Sequence, residues 1–254
     1  MRWIVLQRPP ANAYSYEMMR DLDEAVLGAR MDEETDVIVL TGEGERFFCA
    51  GADIAMLERV TPHWKYSFCL HANETLQRLE QTPKLVIAAL NGHCMGGGLE
   101  VALAADLRVA RRAPAGAKPF QIGMPEVKLG VLPGTGGTQR LARLVGASRA
   151  IEWLAEARTF DADGALATGL VNRVFEAAGF AEQVQKYAET FTAPGTAALA
   201  VGHIKRAVQS GAELPLASGL ALERELQQRL FESADAQEGI AAFVAKRAPR
   251  FSGK

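Results

Sequence analysis

A chain of 254 residues, 48% hydrophobic and 23% charged, has the composition of an ordinary soluble globular protein with a substantial core. Its formal net charge of −2 excludes the global basic field that gathers nucleic acid non-specifically. No uninterrupted apolar stretch approaches the roughly 20 residues that span a bilayer, and Met1-Arg2-Trp3 enters Ile4-Val5-Leu6 without a signal-peptide pattern, so no membrane partner and a cytoplasmic location are expected.

In chain order, the apolar runs Ile4 to Gln7, Asp36 to Thr41 and Leu85 to Leu90 end at Pro, Gly or Asn, as buried strands do. Met18, Met19, Leu22, Ala25 and Val26 recur at helical spacing, which predicts a helix over Tyr16 to Ala29. A second helix is expected over Tyr66 to Leu79. Leu99 to Ala105 reads as an apolar helix feeding a short strand at Leu107-Arg108-Val109. Arg111 to Pro119 (RRAPAGAKP) is polar, basic and interrupted by prolines, the signature of an exposed loop. Helical patterns dominate from Ser148, broken by a strand at Val171 to Phe175. Helices alone are expected beyond Pro194, at Thr196 to Gln209, Leu216 to Phe231 and Ala236 to Lys246. The organisation is therefore an α/β core over 1–195 and a helical region over 196–254.

Cys49, Cys69 and Cys94 form no CxxC pair and are odd in number, which suits packed thiols in a reducing compartment. His63, His71, His93 and His203 show no HExxH or close ligand pairing, and no metal site is expected.

Three glycine-rich stretches stand out: Cys49 to Asp53, Asn91 to Glu100, and Pro133 to Arg140. The second runs from a strand end into a helix, so Gly96, Gly97 and Gly98 present bare amides at a helix N-terminus, where developing negative charge or a phosphate is stabilised. None fits GxGxxG with a distant acid or GxxxxGK[ST], which removes the nucleotide readings. Glu100 falls in the first turn of that helix, a common place for an acid on dipole grounds alone, and Glu126 follows a proline in an apolar setting. Two glutamates around one water can serve as base and acid if burial and mutual repulsion separate their proton affinities.

Taken together, Ala50-Gly51-Ala52-Asp53, Asn91-Gly92 with Gly96-Gly97-Gly98, Pro125 to Gly130 and Pro133 to Arg140 resemble the enoyl-CoA hydratase/isomerase superfamily, the crotonases. The likeness extends from Leu6-Gln7-Arg8-Pro9-Pro10-Ala11-Asn12-Ala13 to the C-terminal Ser233 to Arg247. It implies an α/β fold of repeated ββα turns wound as a spiral, with C-terminal helices that build a homotrimer or a hexamer of paired trimers. It implies an acyl-CoA thioester substrate, with coenzyme A part of that substrate and no separate cofactor. It also implies an oxyanion hole formed by the N–H groups of Ala52 and Gly97, with Ala50, Gly51, Asp53, Gly96 and Gly98 lining the substrate. One such donor is worth about 3 kcal/mol of barrier. Hydratases of the superfamily carry a glutamate after the glycine triplet and another in the PE motif, which match Glu100 and Glu126. The resemblance therefore implies enoyl-CoA hydration, with double-bond isomerisation or dehydration of a different hydroxyacyl-CoA as the alternative.

Two features depart from the pattern. The interval between Glu100 and Glu126 is several residues long, with the excess in the RRAPAGAKP loop. The position at which many hydratases carry a lysine to meet CoA phosphate is Ala55 here, with Arg59, Lys65 or a residue of a neighbouring subunit as the alternatives. An RNA-binding role would need a basic face; Lys84, Arg108, Arg111, Arg112 and Lys118 are the one suggestive cluster, and a solvated loop is the simpler explanation.

Overall fold

A computed structural model describes residues 1–253, leaving Lys254, the last residue of the expected 196–254 region, outside the described residues. In chain order the elements are β1 (Arg2–Leu6), α1 (Tyr16–Met31), β2 (Val37–Gly42), β3 (Phe47–Cys49), α2 (Ile54–Arg59), α3 (Pro62–Glu80), β4 (Leu85–Leu90), β5 (His93–Met95), α4 (Gly97–Leu103), β6 (Leu107–Arg111) and β7 (Ile122–Gly123). After a 3-10 turn at Glu126–Leu129 come α5 (Gly137–Val145), α6 (Ala147–Ala155), β8 (Thr159–Phe160), α7 (Ala162–Ala167), β9 (Arg173–Phe175) and α8 (Phe180–Glu189). The chain closes with α9 (Ala198–Ala212), α10 (Leu216–Phe231) and α11 (Ala234–Val244).

The strands form two sheets, in the orders β1-β2-β4-β6-β9 and β3-β5-β7-β8. Each turn of the chain gives one strand to the first sheet, a shorter one to the second, and then helix: β2, β3, α2 and α3; β4, β5 and α4; β6, β7 and α5. This is the expected spiral of ββα units. All pairings in the first sheet are parallel, and all six residues of β4 are buried, which is why its sequence Leu-Val-Ile-Ala-Ala-Leu runs apolar without alternation. The two faces follow the period of two. Ile38, Leu40, Val86, Ala88 and Leu90 enter the main core with Met19, Leu76 and Leu99, whereas Val37, Val39, Ile87, Ala89 and Val109 pack against Phe180, Val184 and Ala188 of α8.

The strands at Leu85–Leu90 and the helix at Leu216–Phe231 coincide with expectation. The second helix begins earlier than Tyr66, because Thr61 accepts a hydrogen bond from Trp64 N–H and Pro62 occupies the first turn. The expected loop at Arg111 to Pro119 needs correction at its start. Arg111 ends β6 and is buried, with its guanidinium donating to the carbonyls of Glu45 and Asn91; Arg112 pairs with Asp163 and Glu176. Only 114–119 are exposed. The basic cluster likewise fails to form a surface, since Arg108 is buried on the carbonyls of Leu170 and Ala105, and Lys84 donates to those of Ala29 and Asp32.

The C-terminal helices are tied to the core by a buried ion pair. Lys205 of α9 meets Asp106 at 2.8 Å with side-chain exposures of 4% and 9%, and Asp106 also accepts from Val86 N–H and Gln209. Burial pushes Asp106 up and Lys205 down in pKa, so each charge depends on its partner. Lys205→Ala is expected to cost about 3 to 5 kcal/mol, because Asp106 is left buried and uncompensated. Urea unfolding of the variant measures this. Among the described residues no helix is long and apolar enough to cross a membrane.

Candidate active site

The site forms where the second sheet hands the chain to α4. Strand β5 ends at Met95, and Gly96 turns the backbone with φ 55°, a left-handed conformation that a side chain would strain. The helix therefore begins at Gly97, two residues before the expected Leu99, and takes the glycines into its first turn. All seven residues of α4 are buried. A Cβ on Gly97 would lie 2.4 Å from the Tyr14 ring, and one on Gly98 would lie 2.2 Å from the Cys49 carbonyl oxygen. Glycine is needed here for close packing as well as for ligand access.

The Cys49 to Asp53 stretch lies across this helix end. Gly51 has φ +98°, and a Cβ on it would sit 3.0 Å from Met95 O and 3.2 Å from Gly97 N. Tyr14 anchors the stretch by donating its N–H to Gly51 O and accepting from Asp53 N–H, each at 2.9 Å, while Ala50 N–H donates to Ala11 O. Gly51 N–H is directed to the Cys49 sulfur at 3.4 Å. Neither Ala52 N–H nor Gly97 N–H donates to any described residue. The two expected oxyanion donors are thus on adjoining segments and free. The Asp53 carboxylate caps α2 through Ala55 and Met56 N–H and pairs with Arg8 at 2.5 Å; the Arg8 hydrogen bond holds its pKa below the usual carboxylate range. These contacts tie the segment that follows Ala52 to Arg8 and to the start of α2.

Glu100 and Glu126 occupy contrasting settings. Glu100 is 2% exposed, far from the solvated helix-start glutamate that dipole arguments alone would give. Its Oε1 accepts the N–H groups of Thr135 at 2.7 Å and Gly137 at 2.8 Å, and its Oε2 accepts the Thr135 hydroxyl. The third glycine stretch, whose role the sequence left open, is therefore a cradle for this carboxylate at the N-terminus of α5. A Cβ on Gly137 would come within 2.9 Å of Glu100 Oε1. Glu126 opens the 3-10 turn, and its carboxylate leans over Gly96, where a Cβ would be 3.0 Å from Oε1. Its Oε2 is buried without a hydrogen-bond partner among the described residues. Burial chiefly raises the Glu126 pKa to about 7, opposed by its own backbone N–H, with a smaller upward push from the charge of Glu100 and a smaller downward one from Lys65. One carboxyl thus accepts three hydrogen bonds, and the other is buried with its pKa raised to about 7.

Sequence reasoning missed Tyr14 and Thr135. Tyr14 is buried beside Gly97, and its Oη lies 3.1 Å from Thr135 Oγ1. Thr135 lay in a recognised motif, which was the available signal; Tyr14 had none. Burial first and Glu100 second keep the Tyr14 phenol well above its ordinary pKa. Cys49 and Cys94 are register neighbours on β3 and β5, both buried and free, with thiol pKa values raised by burial. Among the described residues no group of three or more His, Cys, Asp or Glu gathers to hold a metal.

Comparison with known proteins identifies the family. The sequence model of the family "Enoyl-CoA hydratase/isomerase" matches residues 2–254. The short-chain-enoyl-CoA hydratase of Clostridium acetobutylicum is 35% identical over 96% of this chain and 91% of its own length. The crotonyl-CoA hydratase of Syntrophomonas wolfei is 34% identical over 99% and 94%. Among solved structures, an enoyl-CoA hydratase from Bacillus anthracis superimposes with a TM-score of 0.91 and 33% identity, covering 99% of this chain and 95% of that one. A family match over residues 2–254, on a backbone shared along nearly its whole length, leads to one conclusion: the chain belongs to the enoyl-CoA hydratase/isomerase family and is one of its enzymes.

Proposed function

We propose that the protein adds water across the 2,3 double bond of a trans-2-enoyl-CoA to give a 3-hydroxyacyl-CoA, with Glu100 as base and Glu126 as acid. The observation that carries this reading is the asymmetry of the pair: Glu100 is bound by three donors, while Glu126 has a sealed, unpartnered Oε2 and a pKa of about 7. The names of the relatives support the substrate class. Water bound between the carboxyls gives a proton to Glu100 as its oxygen bonds to C3. The π electrons shift to C2 and the thioester oxygen, and the free N–H groups of Ala52 and Gly97 stabilise that enolate. Glu126 then delivers its proton to C2. Passing the proton from Glu100 back to Glu126 through solvent resets the site. Ala50, Gly51, Gly96 and Gly98 shape the wall around the thioester, coenzyme A enters as part of the substrate, and no separate cofactor takes part in this chemistry.

The assembly we infer is a homotrimer or a pair of trimers built on the C-terminal helices. Leu216, Phe231, Phe243 and Val244 are 63 to 86% exposed there, an apolar surface that a second and third copy would cover. A cytoplasmic setting suits the free buried thiols of Cys49 and Cys94.

The test is loss of the enoyl-thioester absorbance with crotonyl-CoA and a longer trans-2-enoyl-CoA, together with product identification. Formation of 3-hydroxyacyl-CoA by wild type, falling about 100-fold or more in Glu100→Gln, is the expected result. Near-normal turnover by Glu100→Gln would remove that residue from the mechanism; an isomerised product would favour the isomerase branch.

A further inference from the structure

Glu100 is served by a hydroxyl chain that starts at Tyr14. Backbone N–H groups occupy Oε1, so the Thr135 hydroxyl is the one side-chain donor to this carboxylate among the described residues. A threonine hydroxyl has a single proton, and a carboxylate has none to offer, so that proton points to Oε2. The 3.1 Å contact between Tyr14 Oη and Thr135 Oγ1 must then be closed by the phenol proton. The chain runs one way: Tyr14 to Thr135 to Glu100.

Reversal is penalised. A proton on Oε2 of Glu100 would turn the Thr135 proton toward Tyr14 Oη, and the buried phenol proton would lose its only acceptor among the described residues. Leaving a buried donor unpaired is costly, so the order Tyr14 to Thr135 to Glu100 is the favoured one. The same residue reaches the oxyanion segments. Its backbone brackets Ala52 through Gly51 O and Asp53 N–H, and its ring lies against Gly97.

We propose that Tyr14 is a positioning residue for hydration: its phenol, acting through the Thr135 hydroxyl, holds Glu100 as an oriented carboxylate toward the bound water. This rests on the hydratase reading above. The experiment measures kcat and KM for crotonyl-CoA hydration, with thermal unfolding, in wild type, Tyr14→Phe, Thr135→Val, Thr135→Ser and the Tyr14→Phe/Thr135→Val double variant. Tyr14→Phe keeps the ring against Gly97 and is expected to lose about tenfold in kcat with KM within about twofold, as removal of one donor from a charged network implies. Thr135→Val should lose more, and Thr135→Ser should keep most of the rate because the hydroxyl remains. The double variant should be no slower than Thr135→Val alone, since the phenol acts only through the threonine.

Wild-type kcat in Tyr14→Phe, a change confined to KM, or losses that multiply in the double variant would each overturn the positioning role while leaving hydration intact. Should Tyr14→Phe unfold, the Thr135 pair probes the same chain without disturbing the ring: equal rates for Thr135→Val and Thr135→Ser would overturn it. Wild type is measured first, so an enzyme that does not hydrate either enoyl-CoA shows that the hydratase reading itself has failed, and the Tyr14 role with it.

Discussion

Glu126→Gln is expected to reduce hydration of crotonyl-CoA by about 10³-fold in kcat, within the range supplied by a positioned general acid. The size follows from its place: the carboxyl leans over Gly96 with Oε2 sealed from solvent and its pKa raised to about 7. The pH dependence has a definite sign. The active form is the protonated one, present below a pKa of about 7 and lost as pH rises through it, so kcat/KM of wild type should fall on the alkaline side near pH 7. Glu126→Gln should lose that limb along with its rate.

Stability should move the other way. A folded-state pKa of about 7, above the ordinary glutamate value, means that the folded protein holds the proton more tightly than the unfolded chain. Wild-type stability therefore declines as pH rises from about 4.3, the unfolded value, to 7. Glutamine cannot ionise and escapes the decline. Urea unfolding at pH 8 should find Glu126→Gln more stable than wild type, by about 1 kcal/mol after allowing for the carboxyl's partial access to solvent. Equal or lower stability at pH 8, with no alkaline limb in wild type, would show that Glu126 is an ordinary ionised glutamate and unsuited to the acid role.

Gly98→Ala is expected to be the most damaging single methyl that can be added to this protein's active site. Its Cβ would fall 2.2 Å from the Cys49 carbonyl oxygen and 2.9 Å from Cys49 Cβ, both parts of β3, so no flexible side chain can yield. Either α4 withdraws from β3, which separates Gly97 N–H from Ala52 N–H, or the contact persists as strain. The expected loss is about 3 kcal/mol or more of stability, with hydration reduced in the fraction that still folds. Gly211→Ala is the control. It lies in α9 with nothing within 4 Å of the added Cβ and should gain about 0.5 to 1 kcal/mol from helix propensity. Thermal unfolding and crotonyl-CoA turnover of the two variants separate backbone contact from glycine replacement in general.

The contrast between these sites marks what local sequence carries. Runs such as Leu85–Leu90 reveal themselves because a strand buried on both faces must be apolar throughout, and Leu216–Phe231 because a helix repeats its pattern over several turns. The strands Phe47–Cys49, His93–Met95, Ile122–Gly123 and Thr159–Phe160 escape notice, since two or three residues have no period and exist as strands only through their partners. Arg111 looked like loop because charge and nearby prolines usually mean solvent, yet its guanidinium donates through Nη1 to the carbonyls of Glu45 and Asn91 inside the protein.

The amino-acid sequence by itself determined the α/β class, the glycine stretches that leave backbone amides accessible, and the two glutamates, because each depends on residue type at short spacing; the spiral was implied by the resemblance to the crotonases. Only the tertiary structure decided how those parts differ in chemistry. Tyr14 meets Thr135 across 121 positions, Thr135 meets Glu100 across 35, and Lys205 finds Asp106 from the far helical region. A carboxyl's proton affinity is set by the donors, charges and solvent around it, and those neighbours are gathered by folding from segments that have no fixed spacing along the chain.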